Sequence, residues 1–186
     1  MDIDELVRLN RLALYAGSGE FTHSNPGELV ATLAANGFVG DSLDNDEESF
    51  YPGERFIEFV TFLGCSPSIA LSPDEGPDYC LVHIAAMTPQ PRLHMGMNTL
   101  APKCSRCAQV RNDWQHCERP DYCSQCNLQE RQHLFAWRRR GLLSRWVITL
   151  ANIYPHEAVP TPQLMTLLAD VSGQEWGYAY LQAVNK

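Results

Sequence analysis

Cys104 and Cys107, then Cys123 and Cys126, form two Cys-x-x-Cys pairs separated by fifteen residues. Two cysteines three apart on a tight turn can aim both sulfurs at one ion. A second such turn, brought alongside, completes a tetrahedron with zinc–sulfur distances of about 2.3 Å. Bound metal keeps the sulfurs as thiolates and offsets the entropy of ordering a segment with little apolar surface to bury. Here the large apolar residues between the pairs are Val110, Trp114 and Tyr122. Four thiolates fill the coordination shell, so the expected ion is structural zinc rather than a catalytic metal with an open position. Iron is the less favoured occupant, because an all-sulfur site also suits it. A redox dithiol is disfavoured, because paired motifs imply a shared ion. His116 and Cys117, midway between the pairs, are a competing ligand pair without knuckle spacing.

The segments Pro102-Lys103-Cys104-Ser105-Arg106-Cys107 and Asp121-Tyr122-Cys123-Ser124-Gln125-Cys126 resemble the zinc-ribbon class of modules, over residues 102–127 only. That class serves transcription factors, RNA-modifying enzymes, ribosomal proteins and many other enzymes, so the resemblance implies a metal-held insert and no particular activity. The chain departs from the commonest ribbon pattern in having Ala108 and Asn127 where glycine usually follows the second cysteine. Asparagine tolerates left-handed backbone geometry and alanine resists it, so the first knuckle is expected to be distorted.

Other chemistry-bearing residues are more scattered. Arg131, Arg138, Arg139, Arg140 and Arg145 follow the cysteines, interleaved with Phe135, Trp137 and Trp146. Arginines contact phosphates and aromatic rings stack on bases, so Arg138, Arg139 and Arg140 are candidate nucleic-acid contacts. The competing expectation is that they pair with carboxylates of the same chain. Cys65, in a turn after an apolar run, would need a base to act as a nucleophile in a hydrolase or transferase. His83 and His94 are the candidate bases, and a buried inert thiol is the favoured alternative. Cys80 and His83 alternate into a strand as core residues. His156 and Glu157 follow a strand, where functional groups can gather.

The charge distribution frames these candidates. Residues 1–102 carry four Lys or Arg against fifteen Asp or Glu; residues 103–145 carry nine against four; the rest carry one against three. The cysteines therefore lie in the one basic stretch of a chain whose net charge is −8. Such asymmetry marks a candidate interaction surface, with protein the expected partner and nucleic acid the alternative. The acidic start, Met1 to Glu5, lacks the features of a secretory signal, and no apolar run is long enough to span a membrane, so a cytoplasmic protein is expected. In that reducing setting cysteines are read as ligands or buried thiols.

The elements that must position these residues are read from periodicity. Residues 2–16 carry a helix-like apolar stripe. A second helix is capped by Asn25 and Pro26 and ended by Gly37, and the two are expected to pair as a hairpin. Asp41–Glu48 reads as a solvated acidic loop. Phe56–Leu63 and Tyr79–Met87 read as a strand hairpin over 55–87, with a proline-rich linker over 88–102. Gln129–Arg140 suggests a short helix, Arg145–Tyr154 a strand, and Thr161–Gly173 a helix with Pro162 at its first position. Trp176 to Tyr180 alternate as a last strand. The sum is α+β: an antiparallel sheet with helices on one side and an inserted four-cysteine ribbon. Residues 1–101 and 128–186 supply the body, and 102–127 the insert.

Overall fold

The computed structural model describes residues 6–17, 26–44, 46–64, 69–112, 114, 123, 125–126 and 135–184. Among these, twelve strands run in chain order: β1 (Arg11–Ala16), β2 (Val39–Leu43), β3 (Asp46–Pro52), β4 (Val60–Phe62), β5 (Leu81–Ile84), β6 (Arg92–Met95), β7 (Lys103–Cys104), β8 (Phe135–Ala136), β9 (Gly141–Ser144), β10 (Val147–Ala151), β11 (Ala158–Pro160) and β12 (Trp176–Leu181). The helices are α1 (Pro26–Ala35), the single turn α2 (Phe56–Phe59) and α3 (Pro162–Ser172). The main sheet is open and antiparallel, in the order β12-β1-β10-β5-β3-β2.

Strand alternation divides the side chains between two faces. Leu12, Leu14, Val82, Ile84, Ile148 and Leu150 point to one face, where Leu29 and Leu33 of α1, Phe56 and Phe59 of α2, and Leu164 and Leu168 of α3 join them in one core. All three helices therefore lie on that side. The chain ends α1 with a Schellman arrangement: Phe38 N–H donates to Leu33 O and Gly37 N–H to Ala34 O, with Gly37 at φ 73°. Thr161 caps α3 by accepting from Leu164 N–H, and Gly173 closes it at φ 67°. Both helices sit where capping chemistry predicts.

The opposite face carries Ala13, Val147, Ala179 and Leu181, and Leu142 of β9 packs on them. β9 pairs antiparallel with β6, so this two-stranded ribbon covers part of the second face. The chain between β6 and β9 contains the cysteines. Within it β7 pairs with β8, so the two ladders are nested and the four cysteines lie at or beyond the inner one.

Several expectations are corrected. Arg11–Ala16 is a strand, not the end of a helix, so the helix read over 2–16 does not extend through it; residues 1–5 lie outside the described set. β1 lies between β12 and β10 and is buried on both faces, which fills in the polar positions that would have betrayed a strand. The acidic 41–48 stretch forms the turn end of the β2–β3 hairpin, whose charges are mostly at exposed positions and whose register is irregular. The apolar run from Phe56 splits into α2 and β4, an ambiguity inherent in short continuous apolar segments. β4 pairs with β11, and β5 lies between β10 and β3, so residues 55–87 are not a hairpin. The 88–102 linker contains β6. Residues 129–134 lie outside the described set, as does Asn25, and Phe135–Ala136 is strand rather than helix.

Candidate metal centre

The first knuckle is built by backbone hydrogen bonds around Cys104. Its N–H donates to Gln109 O at 2.9 Å, and its carbonyl accepts from Ala108 N–H at 3.0 Å. Closing so tight a turn forces Ala108 to φ 59°, the left-handed conformation its Cβ resists. Asn127, at the matching position of the second knuckle, lies outside the described residues. β7 carries Cys104 at its end, paired with Phe135 of β8, and Arg111 N–H returns to Pro102 O at 3.0 Å. The knuckle is thus anchored where the inner ladder stops.

These turns bring four sulfurs together. All four Sγ atoms lie within 4.8 Å of one another. Cys104 and Cys126 approach to 3.8 Å, and Cys107 and Cys123 to 3.7 Å. A tetrahedron of sulfurs about 2.3 Å from a central ion has edges of about 3.8 Å, so the donor set fits one tetrahedral metal ion. Backbone N–H groups of Cys107 and Arg106 aim at the Cys104 sulfur. The Cys107 N–H is the main reason this thiol is drawn down to about 7. Cys126 goes the other way, pushed up to about 12, first through its hydrogen bond with Cys107. Crowded thiols cannot all ionise beside one another, whereas a central dication would let all four do so.

Cys104 and Cys123 are buried, and the Trp137 ring packs against the cluster. Trp114, only 6% exposed, meets Trp137 edge to face with centroids 5.5 Å apart. This indole pair is the main apolar shelter of the sulfurs among the described residues. The base of the excursion is pinned to β12, an edge of the main sheet. Asn98 donates to Tyr180 O at 2.8 Å and accepts from Gln182 N–H at 2.9 Å. Arg139 O accepts from Tyr180 N–H at 2.8 Å. Gly96 is required in this joint, since a Cβ there would run into the Gln182 backbone. Thr99 adds a hydrogen bond to Arg140 O.

The three arginines divide. Arg138 and Arg139 take left-handed φ values of 51° and 58°, and the Arg139 guanidinium lies over the Tyr178 ring, 4.2 Å from its centroid. Arg139 therefore clamps the turn to the sheet. Arg138 and Arg140 are exposed and make no ion pair among the described residues; Asp2, Asp4, Glu5 and Glu20 of the acidic half lie outside that set. Arg145 is tied to the body, its Nε donating to Thr88 O.

The remaining candidates are dispersed. His83 is buried, its Nδ1 3.1 Å from Ser49 Oγ and its Nε2 3.8 Å from Glu48; burial lowers its pKa. His94 lies on β6, where burial and then Arg11 and Arg92 hold its pKa down to about 4. His156 is exposed, its ring tilted against Tyr180 with centroids 4.7 Å apart. Cys80 is a buried core thiol pushed up to about 12 by desolvation. Cys65, His116, Cys117 and Arg131 lie outside the described residues. Sequence reasoning treated Trp137 as one aromatic among arginines and overlooked Asn98; a tryptophan just ahead of three charged residues was the available signal. Among the described residues no helix is long and apolar enough to cross a membrane. Family models, curated proteins and solved structures alike give no match to this chain.

Proposed function

We propose that this chain is a non-enzymatic, cytoplasmic interaction protein. Cys104, Cys107, Cys123 and Cys126 hold a structural zinc ion, and the module so formed, residues 102–127 inserted between 1–101 and 128–186, presents a surface to a protein partner. The reading rests on the closed four-sulfur shell, which leaves no coordination position for a substrate. Exposed apolar side chains beside the module support a protein partner: Leu100 is 49% exposed and Val110 37%, and such side chains are what a partner would cover. The test compares proteins retained by the full chain and by a Leu100→Asp, Val110→Asp variant that keeps its metal. A retained protein set that is lost in the variant is the expected result. An unchanged set contradicts the reading.

A second reading, nucleic-acid binding, is favoured by one observation: Arg138 and Arg140 are exposed and make no ion pair among the described residues. If three to five phosphates are contacted, log affinity falls with log salt with a slope of about −2 to −4. Arg138→Ala with Arg140→Ala then flattens it by about two. Absence of binding to RNA and DNA at low salt removes this reading.

A further inference from the structure

Arg11 opens β1, beside the edge strand β12 of the main sheet, and is only 5% exposed. One Nη donates to the Met95 carbonyl at 2.9 Å. Its Nε is buried without a hydrogen-bond partner, and no carboxylate pairs with it among the described residues. A buried guanidinium with no counter-charge among the described residues is an expensive feature, and a single neutral carbonyl does not offset it. Burial alone lowers its pKa to about 10.

The same guanidinium lines a cavity of about 510 Å³ between β6, the segment that follows it and the metal-bearing excursion. That volume suits a small organic ligand. The rest of the lining is mostly apolar: Val7, Leu93, Met95, Met97, Trp114 and Val184. His94 also lines it and is uncharged at neutral pH, since its pKa lies near 4. The Thr99 hydroxyl on the rim is occupied by Gly96 N–H and the Arg140 carbonyl. Among the described lining residues, Arg11 therefore supplies the one formal charge of a mostly apolar chamber. Methionines at its mouth add a wall that adapts to the shape of what enters.

We propose that this cavity is a binding site for a small organic carboxylate with an apolar body, the carboxylate pairing with Arg11 and the body lying against Leu93, Met95, Met97 and Trp114. A planar guanidinium matches a carboxylate in shape as well as charge. The inference does not depend on the protein-partner reading. It gives Trp114, which shelters the sulfurs through Trp137, a second role as a wall shared by metal module and cavity.

The test is calorimetric titration of the metal-loaded full chain with octanoate, beside octanol and inorganic phosphate. Octanoate is expected to bind one to one and to raise the melting temperature. Octanol, which lacks the charge, and phosphate, which lacks the apolar body, should each bind at least about tenfold more weakly. Arg11→Met should lose about tenfold to hundredfold in octanoate affinity while melting no lower than wild type, because a buried unpaired charge is removed. Met97→Trp fills the mouth without touching Arg11, and should also abolish binding should Arg11→Met not fold. The proposal is overturned by no saturable octanoate binding, by octanol or phosphate binding as tightly, or by octanoate affinity unchanged in either folded variant.

Discussion

The body and the metal module are held together by different physics. In the body, Leu12, Leu33, Phe38, Phe56, Ile148 and Leu150 are wholly buried and belong to one continuous core spanning the sheet and three helices. Each such side chain contributes about 1.5–3 kcal/mol by leaving water. In the module the buried groups are mainly the thiols of Cys104 and Cys123 and the Trp114 indole, with Trp137 packed between the sulfurs and Trp114. Thiols crowded within 4.8 Å stabilise nothing until a cation lets them ionise. One region is thus stable by area and the other, on the proposed reading, by coordination, and the two are joined by the β6–β9 ladder and by the clasp of Asn98 and Arg139 on β12.

The sharpest way to break this division is Cys123→Ser. Removing one ligand should release the ion and, with it, coordination free energy on the order of 10 kcal/mol. Hydrogen exchange across 102–127 should then rise to the rate of an unstructured peptide. The body should unfold within about 1 kcal/mol of wild type in urea, because its core contains none of these residues. Loss of the whole fold would mean that the body depends on the metal.

Leu150→Ala probes the other side. It opens a hole in the middle of β10 and should cost 2–5 kcal/mol of body stability, on the scale of about 2–5 kcal/mol for fully buried leucines. The purified variant should still carry its metal below the melting transition. Metal loss at temperatures where circular dichroism shows the sheet intact would contradict independence.

How much of this was legible depends on which physics wrote the signal. Capping residues work locally, so Pro26, Gly37, Thr161, Pro162 and Gly173 marked the ends of two helices correctly. The cysteine spacing is equally local, since each knuckle closes over three residues. Inner strands are different: the segment Arg11-Leu12-Ala13-Leu14-Tyr15-Ala16 is buried on both faces, so it lost the alternation that identifies a strand, and nothing local marked Arg11 as buried. The β4–β11 and β5–β10 pairings join residues far apart in the chain and leave no local trace. The acidic 41–48 stretch misled because charge is also tolerated on the exposed edge of a hairpin.

Acid should reveal a smaller effect on the second face of the sheet. His94 has its pKa lowered to about 4 from an ordinary 6.5. As pH falls, the unfolded chain therefore takes up this proton before the folded one. Stability is undiminished above about pH 6.5 and declines until pH passes about 4. His94→Gln should flatten that part of the profile. Melting curves on the Cys123→Ser background check this without interference from acid-induced metal release. A steeper decline in the glutamine variant would contradict the assignment.

The smallest expected change is a gain. Ala108→Gly relieves a left-handed alanine at φ 59° and should stabilise the metal-bound knuckle by about 1 kcal/mol. Competition with a chelator would read this as roughly fivefold slower or weaker metal removal. No gain would mean that the knuckle relaxes around Ala108 at little cost.

The central claim is that the four sulfurs share one ion. Elemental analysis and X-ray absorption on the freshly purified full chain test it together. The account predicts one equivalent of zinc per chain in a shell of four sulfurs at about 2.3 Å. A chain free of zinc and iron, with Cys104 and Cys107 joined as a disulfide, would contradict it.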